Sequence, residues 1–263
     1  MAFAAENPLL FLFFVFVFGA CIGSFLNVCI YRLPLNESVV SPPSHCRACS
    51  SRLPWYDNLP LLSYLIRRGR CGSCGVKFSA RYFFVELLTG VLAVALVWQF
   101  GLSLATVGYF AFAAALVVIT FIDLDHQIIP DVISLPGVIA GLLFSLLSPL
   151  PTLTVWTSLI GAAVGAGLLL AVALGYQAFT GREGMGGGDV KLLAMIGAFL
   201  GWHAIPFTIF IASCVGSLVG VTAMIRTQAD SKLALPFGPF LSLGALCYLF
   251  FGEQLIAWYL GLL

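Results

Sequence analysis

Charge is what this chain most lacks. Of 263 residues, 12 are Lys or Arg and 11 are Asp or Glu, so charged side chains make up 9%. A soluble domain carries about 25%. The hydrophobic fraction of 61% completes the contrast and excludes an ordinary soluble enzyme. A long polar segment is also missing, except near residues 31–81. The net charge of +1 leaves no bulk field to identify partners and gives no ground for nucleic-acid binding. No Lys or Arg precedes residue 32, and the first apolar run, 8–30, is longer than the core of a secretory signal. A retained first helix is expected. Nucleotide-phosphate motifs are absent too: the glycine segment GREGMGGGDVKL lacks the G-x-x-x-x-G-K-[ST] pattern and follows no strand.

What is present is a set of long apolar runs. A bilayer core of about 30 Å needs roughly 20 apolar residues per helix. Eight spans are expected, at 8–30, 83–100, 105–122, 132–148, 154–179, 190–202, 205–225 and 236–251. The fold class is an all-α polytopic membrane protein. The sixth span is short, as suits a helix tilted or partly sunk in protein. The fifth is long enough to project past the bilayer. Its small residues Gly161, Gly165 and Gly167 suit close helix packing.

With eight spans every cation falls on one side. Arg32, Arg47, Arg52, Arg67, Arg68, Arg70, Lys77 and Arg81 lie in the first loop, Arg182 and Lys191 flank the glycine run, and Arg226 and Lys232 lie before the last span. The positive-inside rule makes that side cytoplasmic and both termini external. The expected organisation is a first helix (1–30), a cytoplasmic loop (31–82) and a seven-helix membrane domain (83–263).

The loop carries HCRAC and CGSCG. Cys46 and Cys49, then 21 residues, then Cys71 and Cys74 form two C-x2-C knuckles, the spacing of a tetrahedral four-cysteine zinc site. Two disulfides are the alternative, disfavoured where cytoplasmic thiols stay reduced. With four protein ligands the site is structural. Gly72 and Gly75 would allow tight turns around the ion. Cys21, Cys29, Cys214 and Cys247 lie in apolar helices and read as small core residues.

Two polar breaks carry carboxylates at helix ends, where they are costly and therefore functional candidates. FIDLDHQIIPD holds Asp123, then Asp125 and His126 in an expected turn, then Asp131 as a plausible N-cap of the fourth span. The residues alone do not separate Asp123 from Asp125. Asp125 also reads as a solvated carboxylate, and His126 is not assigned a metal. GMGGGD ends in Asp189, with Lys191 two residues on. Lys191 either biases Asp189 toward ionisation or is a topology charge. Gly186, Gly187 and Gly188 read as a side-chain-free backbone that lets an extended peptide approach, or as a hinge. Two aspartates on separate helices suit an aspartyl protease, in which one carboxylate activates water while the other stays protonated.

Together these segments resemble the type 4 prepilin peptidase family over nearly the whole chain. The resemblance rests on GSFLNVCIYRLP (23–34), the two cysteine pairs, ARYFFVELLTG (80–90), IDLDHQIIPD (122–131) and GMGGGDVKLLAMIGAFLG (184–201), which contains the G-x-G-D signature as Gly186 to Asp189. It implies that Asp123 and Asp189 are the catalytic pair, choosing Asp123 over Asp125. It implies cleavage of the basic leader of prepilins or type II secretion pseudopilins after a glycine, on the cytoplasmic side of a bacterial inner membrane. It also implies methylation of the new N-terminal amine, usually of a phenylalanine, with S-adenosylmethionine as donor. No Rossmann-type methyl-donor motif is visible. Asn27, Arg81 and Glu86 are polar groups at helix ends that either face a donor site in the first loop or anchor the interface. A membrane protease without methyltransferase activity, a transporter using the aspartates for protons or cations, and a zinc-bearing scaffold are the competing readings. No second-half repeat of the Asp and glycine elements supports the transporter.

Overall fold

The computed structural model describes residues 7–46, 48–148, 150, 152–181, 186–227 and 235–261. Arg47, Arg182 and Lys232 lie outside the described residues, as do the first two positions of the glycine run, Gly184 and Met185. The described chain is helical, and only two isolated β-bridges occur in it. It divides into two compact units, Met1–Val118 and Ile119–Leu263.

The first unit is built on α1 (Pro8–Arg32) and α3 (Arg81–Phe100), joined by the polar loop and the short α2 (Leu62–Ile66). Glycines set the approach of the two long helices. A Cβ on Gly19 would lie 2.6 Å from Ala93 Cβ, and one on Gly23 would lie 2.8 Å from Glu86 Cα. This is the small-residue packing by which membrane helices associate without a hydrophobic driving force. Gly19 and Gly23, four residues apart, share one face of α1. Arg32, at the end of α1, is buried. Its guanidinium donates to the carbonyls of Ser38 (2.8 Å) and Pro42 (2.7 Å), so it clamps the start of the loop. The loop residues 31–82 thus belong to a body that also contains α1 and α3. Helix α4 (Leu104–His126) begins in this unit, where Tyr109 packs on Phe100 with ring centroids 5.1 Å apart.

The second unit contains the last turns of α4 and then α5 (Asp131–Leu147), α6 (Val155–Thr180), α7 (Gly187–Leu200), α8 (Ala204–Thr227) and α9 (Gly238–Leu260). Helix α7 is its centre: every residue from Leu192 to Phe199 is buried. A helix apolar all round must be enclosed by others. Gly141 of α5 meets Ala198 and Phe199, while Gly161 and Gly165 of α6 meet the backbone of α7 at Gly197 and Leu193. Gly167 faces open space and plays no part in this packing. The Ser158 hydroxyl of α6 donates to the Ala198 carbonyl. Threonine 154 caps α6, exchanging hydrogen bonds with Thr157.

All eight expected spans coincide with helices, but the expected count of eight crossings is not established by length. Five are long and apolar enough to cross a membrane: Pro8–Leu35, Arg81–Phe100, Leu104–His126, Val155–Thr180 and Ala204–Arg226. The apolar parts of α5 and α9, Asp131–Leu147 and Gly238–Gly252, are shorter. Helix α7 has 14 residues, about 21 Å at 1.5 Å per residue, less than the hydrocarbon thickness. Its length suits the expectation of a span sunk in protein. Three local expectations are corrected. Asp125 and His126 lie in the last turn of α4 rather than in a turn after it, and Asp131 is the first residue of α5 after an N-cap at Pro130. Cys21 and Cys214 are exposed, so they are not core residues.

Candidate functional site

Helix α4 runs three residues past Asp123 before it stops, and that extra turn decides how its carboxylates are exposed. Asp123 is 4% exposed, whereas Asp125 lies on the open face of the same turn. Burial therefore separates two residues that the sequence left equivalent. The buried carboxylate has a specific partner: the backbone N–H of Gly238 donates to Asp123 Oδ2 at 2.9 Å. Gly238 is the first residue of α9, so this N–H is one of the donors that a helix leaves unpaired at its start. A Cβ at 238 would lie 2.6 Å from the same oxygen, so the position has room only for glycine unless the carboxylate moves.

Asp189 reaches the same place from α7. The helix is capped at Gly186, with Gly187 and Gly188 as its first residues and Asp189 in the first turn, where a negative side chain suits the positive end of the helix. The two carboxylates lie close enough to interact electrostatically. Ile129 links the elements: its side chain lies 2.9 Å from where a Cβ on Gly188 would be and 3.3 Å from where one on Gly238 would be. Gly186 and Gly187 face open space. The glycine run is thus close-packed at Gly188 and open on the approach to Asp189. Lys191 directs its ammonium to Asp131, at 2.7 and 2.8 Å from the two carboxylate oxygens. Nothing in the amino-acid pattern marks Gly238 beyond a break, LPFGPF, at the start of the last apolar run.

The first unit holds the second constellation. The sulfurs of Cys46, Cys49, Cys71 and Cys74 all lie within 4.8 Å of one another. Cys46 Sγ and Cys74 Sγ are 3.8 Å apart. Four sulfurs about 2.3 Å from a tetrahedral ion would be separated by about 3.8 Å, so the cluster fits a metal. The knuckles repeat one backbone pattern. In the first, the N–H of Cys46 donates to Ser51 and that of Ser50 to Cys46; in the second, Cys71 donates to Val76 and Gly75 to Cys71. The residue after the second cysteine is left-handed in both, Ser50 at φ 54° and Gly75 at φ 73°. Gly75 makes its turn as expected. At Gly72 a Cβ would meet the Arg67 guanidinium at 2.7 Å.

Backbone N–H groups of Cys74 and Ser73 push the Cys71 thiol down to about 6. The Cys74 thiol is raised despite the Val76 N–H, by burial and by the neighbouring Cys49 and Cys71 sulfurs. The thiolate is the form that binds metal, and the backbone donors around Cys71 favour it there.

Residues 17–100 match the family model for the bacterial peptidase A24 N-terminal domain, and residues 110–221 match that of the type IV leader peptidase family. The chain is 38% identical to the prepilin leader peptidase/N-methyltransferase of Aeromonas hydrophila, over 96% of this chain and 95% of that protein. This chain belongs to the type IV leader peptidase family. A relative of the same name from Stutzerimonas stutzeri is 37% identical over 98% of this chain and 96% of its own length. One from Myxococcus xanthus (strain DK1622) is 44% identical over 83% of this chain, but over only 64% of its own length. No solved structure matches. The match to the leader peptidase family ends at residue 221, so Gly238, which holds Asp123, lies beyond it.

Proposed function

We propose that this protein is a bifunctional membrane enzyme. It removes the leader of type 4 prepilins or type II secretion pseudopilins after a glycine, then methylates the new N-terminal amine. The convergence of Asp123 and Asp189 with the open backbone of Gly186 and Gly187 carries the reading. Asp123 and Asp189 are the catalytic pair and share one proton, so they titrate together rather than singly. The ionised carboxylate takes a proton from water as the water oxygen attacks the scissile carbonyl carbon. The protonated carboxylate donates to the carbonyl oxygen. Collapse of the tetrahedral intermediate breaks the C–N bond, and the nitrogen leaves as an amine after receiving a proton. No covalent enzyme intermediate forms. The open backbone at Gly186 and Gly187 suits a substrate held extended, since a helix hides its carbonyls.

The four thiols support zinc as a structural ion that holds the knuckles together; a closed four-sulfur shell leaves no position for substrate. S-adenosylmethionine, when bound, would supply an electrophilic methyl group for the amine released by cleavage, leaving as S-adenosylhomocysteine while the amine loses a proton. The enzyme resides in the bacterial inner membrane with its aspartates toward the cytoplasm, following the one-sided distribution of cations.

The test is cleavage of a purified prepilin by detergent-solubilised protein, with product masses measured. Wild type is expected to cut after the leader glycine and to add a methyl mass when the donor is supplied. Asp123→Asn and Asp189→Asn are each expected to abolish cleavage, and the double variant to be no worse than either. Normal cleavage by both single variants would refute the assigned pair.

A further inference from the structure

The ends of α1 and α3 and the two cysteine knuckles enclose a cavity of about 650 Å³ in the first unit. That volume lies within the range of about 300–1,000 Å³ typical of sites for small organic ligands. Its most unusual wall residue is Glu86, on α3. Glu86 is buried at 8% exposure, and among the described residues it has no Lys or Arg within ion-pair distance. Its partners are neutral: the N–H of Leu61 donates to Oε2 at 2.8 Å, and the Ser24 hydroxyl also bonds to it. A buried carboxylate without a cation is costly, and the cost falls when a cationic ligand arrives.

The loop is strained to make this contact. Leu61 sits at φ 61° and ψ −49°, a conformation a leucine side chain disfavours. Such strain persists where the surroundings impose it and clusters at ligand sites. Arg67 is unavailable as a partner for Glu86, since Asp57 holds it at 2.9 and 3.2 Å. Asn27 ties α1 to α3 beside the cavity, donating to the Tyr82 carbonyl at 3.0 Å. Tyr64 and Tyr82 are among the residues that line the cavity, as are Arg70 and Lys77.

We propose that this cavity binds S-adenosylmethionine, with Glu86 facing the donor's cationic centres and the tyrosine rings receiving its adenine. The ligand's chemistry matches the walls group by group. It carries a sulfonium and an ammonium for a carboxylate, a carboxylate for Arg70 and Lys77, and a purine for aromatic faces. This assignment rests on the methylation reading above and gives it a place in the molecule. It also assigns a role to the knuckles, whose residues His45, Ala48 and Val76 form part of the wall. Holding the metal holds the cavity.

The test is equilibrium binding of S-adenosylmethionine and of S-adenosylhomocysteine to the full chain in detergent. Wild type is compared with Glu86→Gln, which keeps an acceptor for the Leu61 N–H but removes the charge, and with Ser63→Trp, which fills the cavity. Melting temperature and bound metal report folding in each. Glu86→Gln is expected to weaken S-adenosylmethionine at least tenfold, and Ser63→Trp to abolish binding of both compounds. Ultraviolet crosslinking of radiolabelled donor is expected to label residues 55–86. If folded variants bind as wild type does, or the label lands in the second unit, the cavity is not the donor site while the methylation reading stands. If wild type neither binds nor consumes the donor, the methylation reading fails as well.

Discussion

Replacing Gly238 with alanine tests whether a backbone amide outside the matched family region positions the Asp123 carboxylate, proposed above as one of the catalytic pair. The hydrogen bond from Gly238 to Asp123 is 2.9 Å long, and Asp123 is 4% exposed, so no water can readily replace it. The added Cβ would lie 2.6 Å from Asp123 Oδ2 and 3.3 Å from both Asp123 Cγ and Ile129 Cδ1. An ordinary contact is about 3.5 Å or more, so the carboxylate must shift by close to 1 Å. A hydrogen bond to a charged group contributes about 1.5–3 kcal/mol, equivalent to about 10- to 150-fold in rate if it is lost where it matters. A displacement of this size in a reacting group alone costs about 100-fold. The expected result is a fall in kcat of about 10- to 150-fold with KM little changed, read from initial rates of prepilin cleavage. Methylation of a pre-cleaved substrate, assigned here to the other unit, should continue and so report an intact protein. A kcat within threefold of wild type would show that the Gly238 amide does not position Asp123.

Two further outcomes follow from the structure. Cys46→Ser removes the most buried of the four sulfurs, so bound zinc, measured by elemental analysis, is expected to fall from one ion per chain toward none, and methylation to be lost with it. Full zinc content with unaltered methylation would contradict both the ligand set and its link to the cavity. Lys191→Ala breaks an ion pair whose side chains are 37% and 57% exposed. Such pairs contribute about 1 kcal/mol or less, so cleavage should change by no more than a few-fold, Asp131→Ala should match it, and added salt should shrink both effects. A loss comparable to that of Asp189→Asn would instead give Lys191 a direct part in the reaction.

How far the sequence could be read depended on whether the signal was local. The cysteine spacing is local: a C-x2-C knuckle needs only its own turn to bring two sulfurs together, and both knuckles fold as the spacing implies. Hydropathy is likewise local, and it located every long helix. Membrane crossing is less so, because the same apolar run serves a lipid-facing helix and one enclosed by protein. The stretch from Leu192 to Phe199 of α7 is buried because α5 and α6 pack against that helix, and its close contacts with Gly161 and Gly165 are visible only once those helices are in place. Asp123 and Asp125 are two residues apart in one polar segment, and what distinguishes them is which side of α4 is covered.

The least legible part of the site is the part with no side chain. Asp123 is held by the amide of a residue 115 positions away, and glycine there is required by what it omits. Glu86 poses the converse case. A lone acid near a helix end reads as an interface anchor until the loop folds back and donates the Leu61 N–H to it. Both carboxylates are buried at helix ends and each is bonded by a backbone N–H from a distant segment, one in each unit. Buried acids held this way are oriented without being neutralised by a cation. That condition suits the roles proposed for them, acting on water in one unit and receiving a cationic ligand in the other.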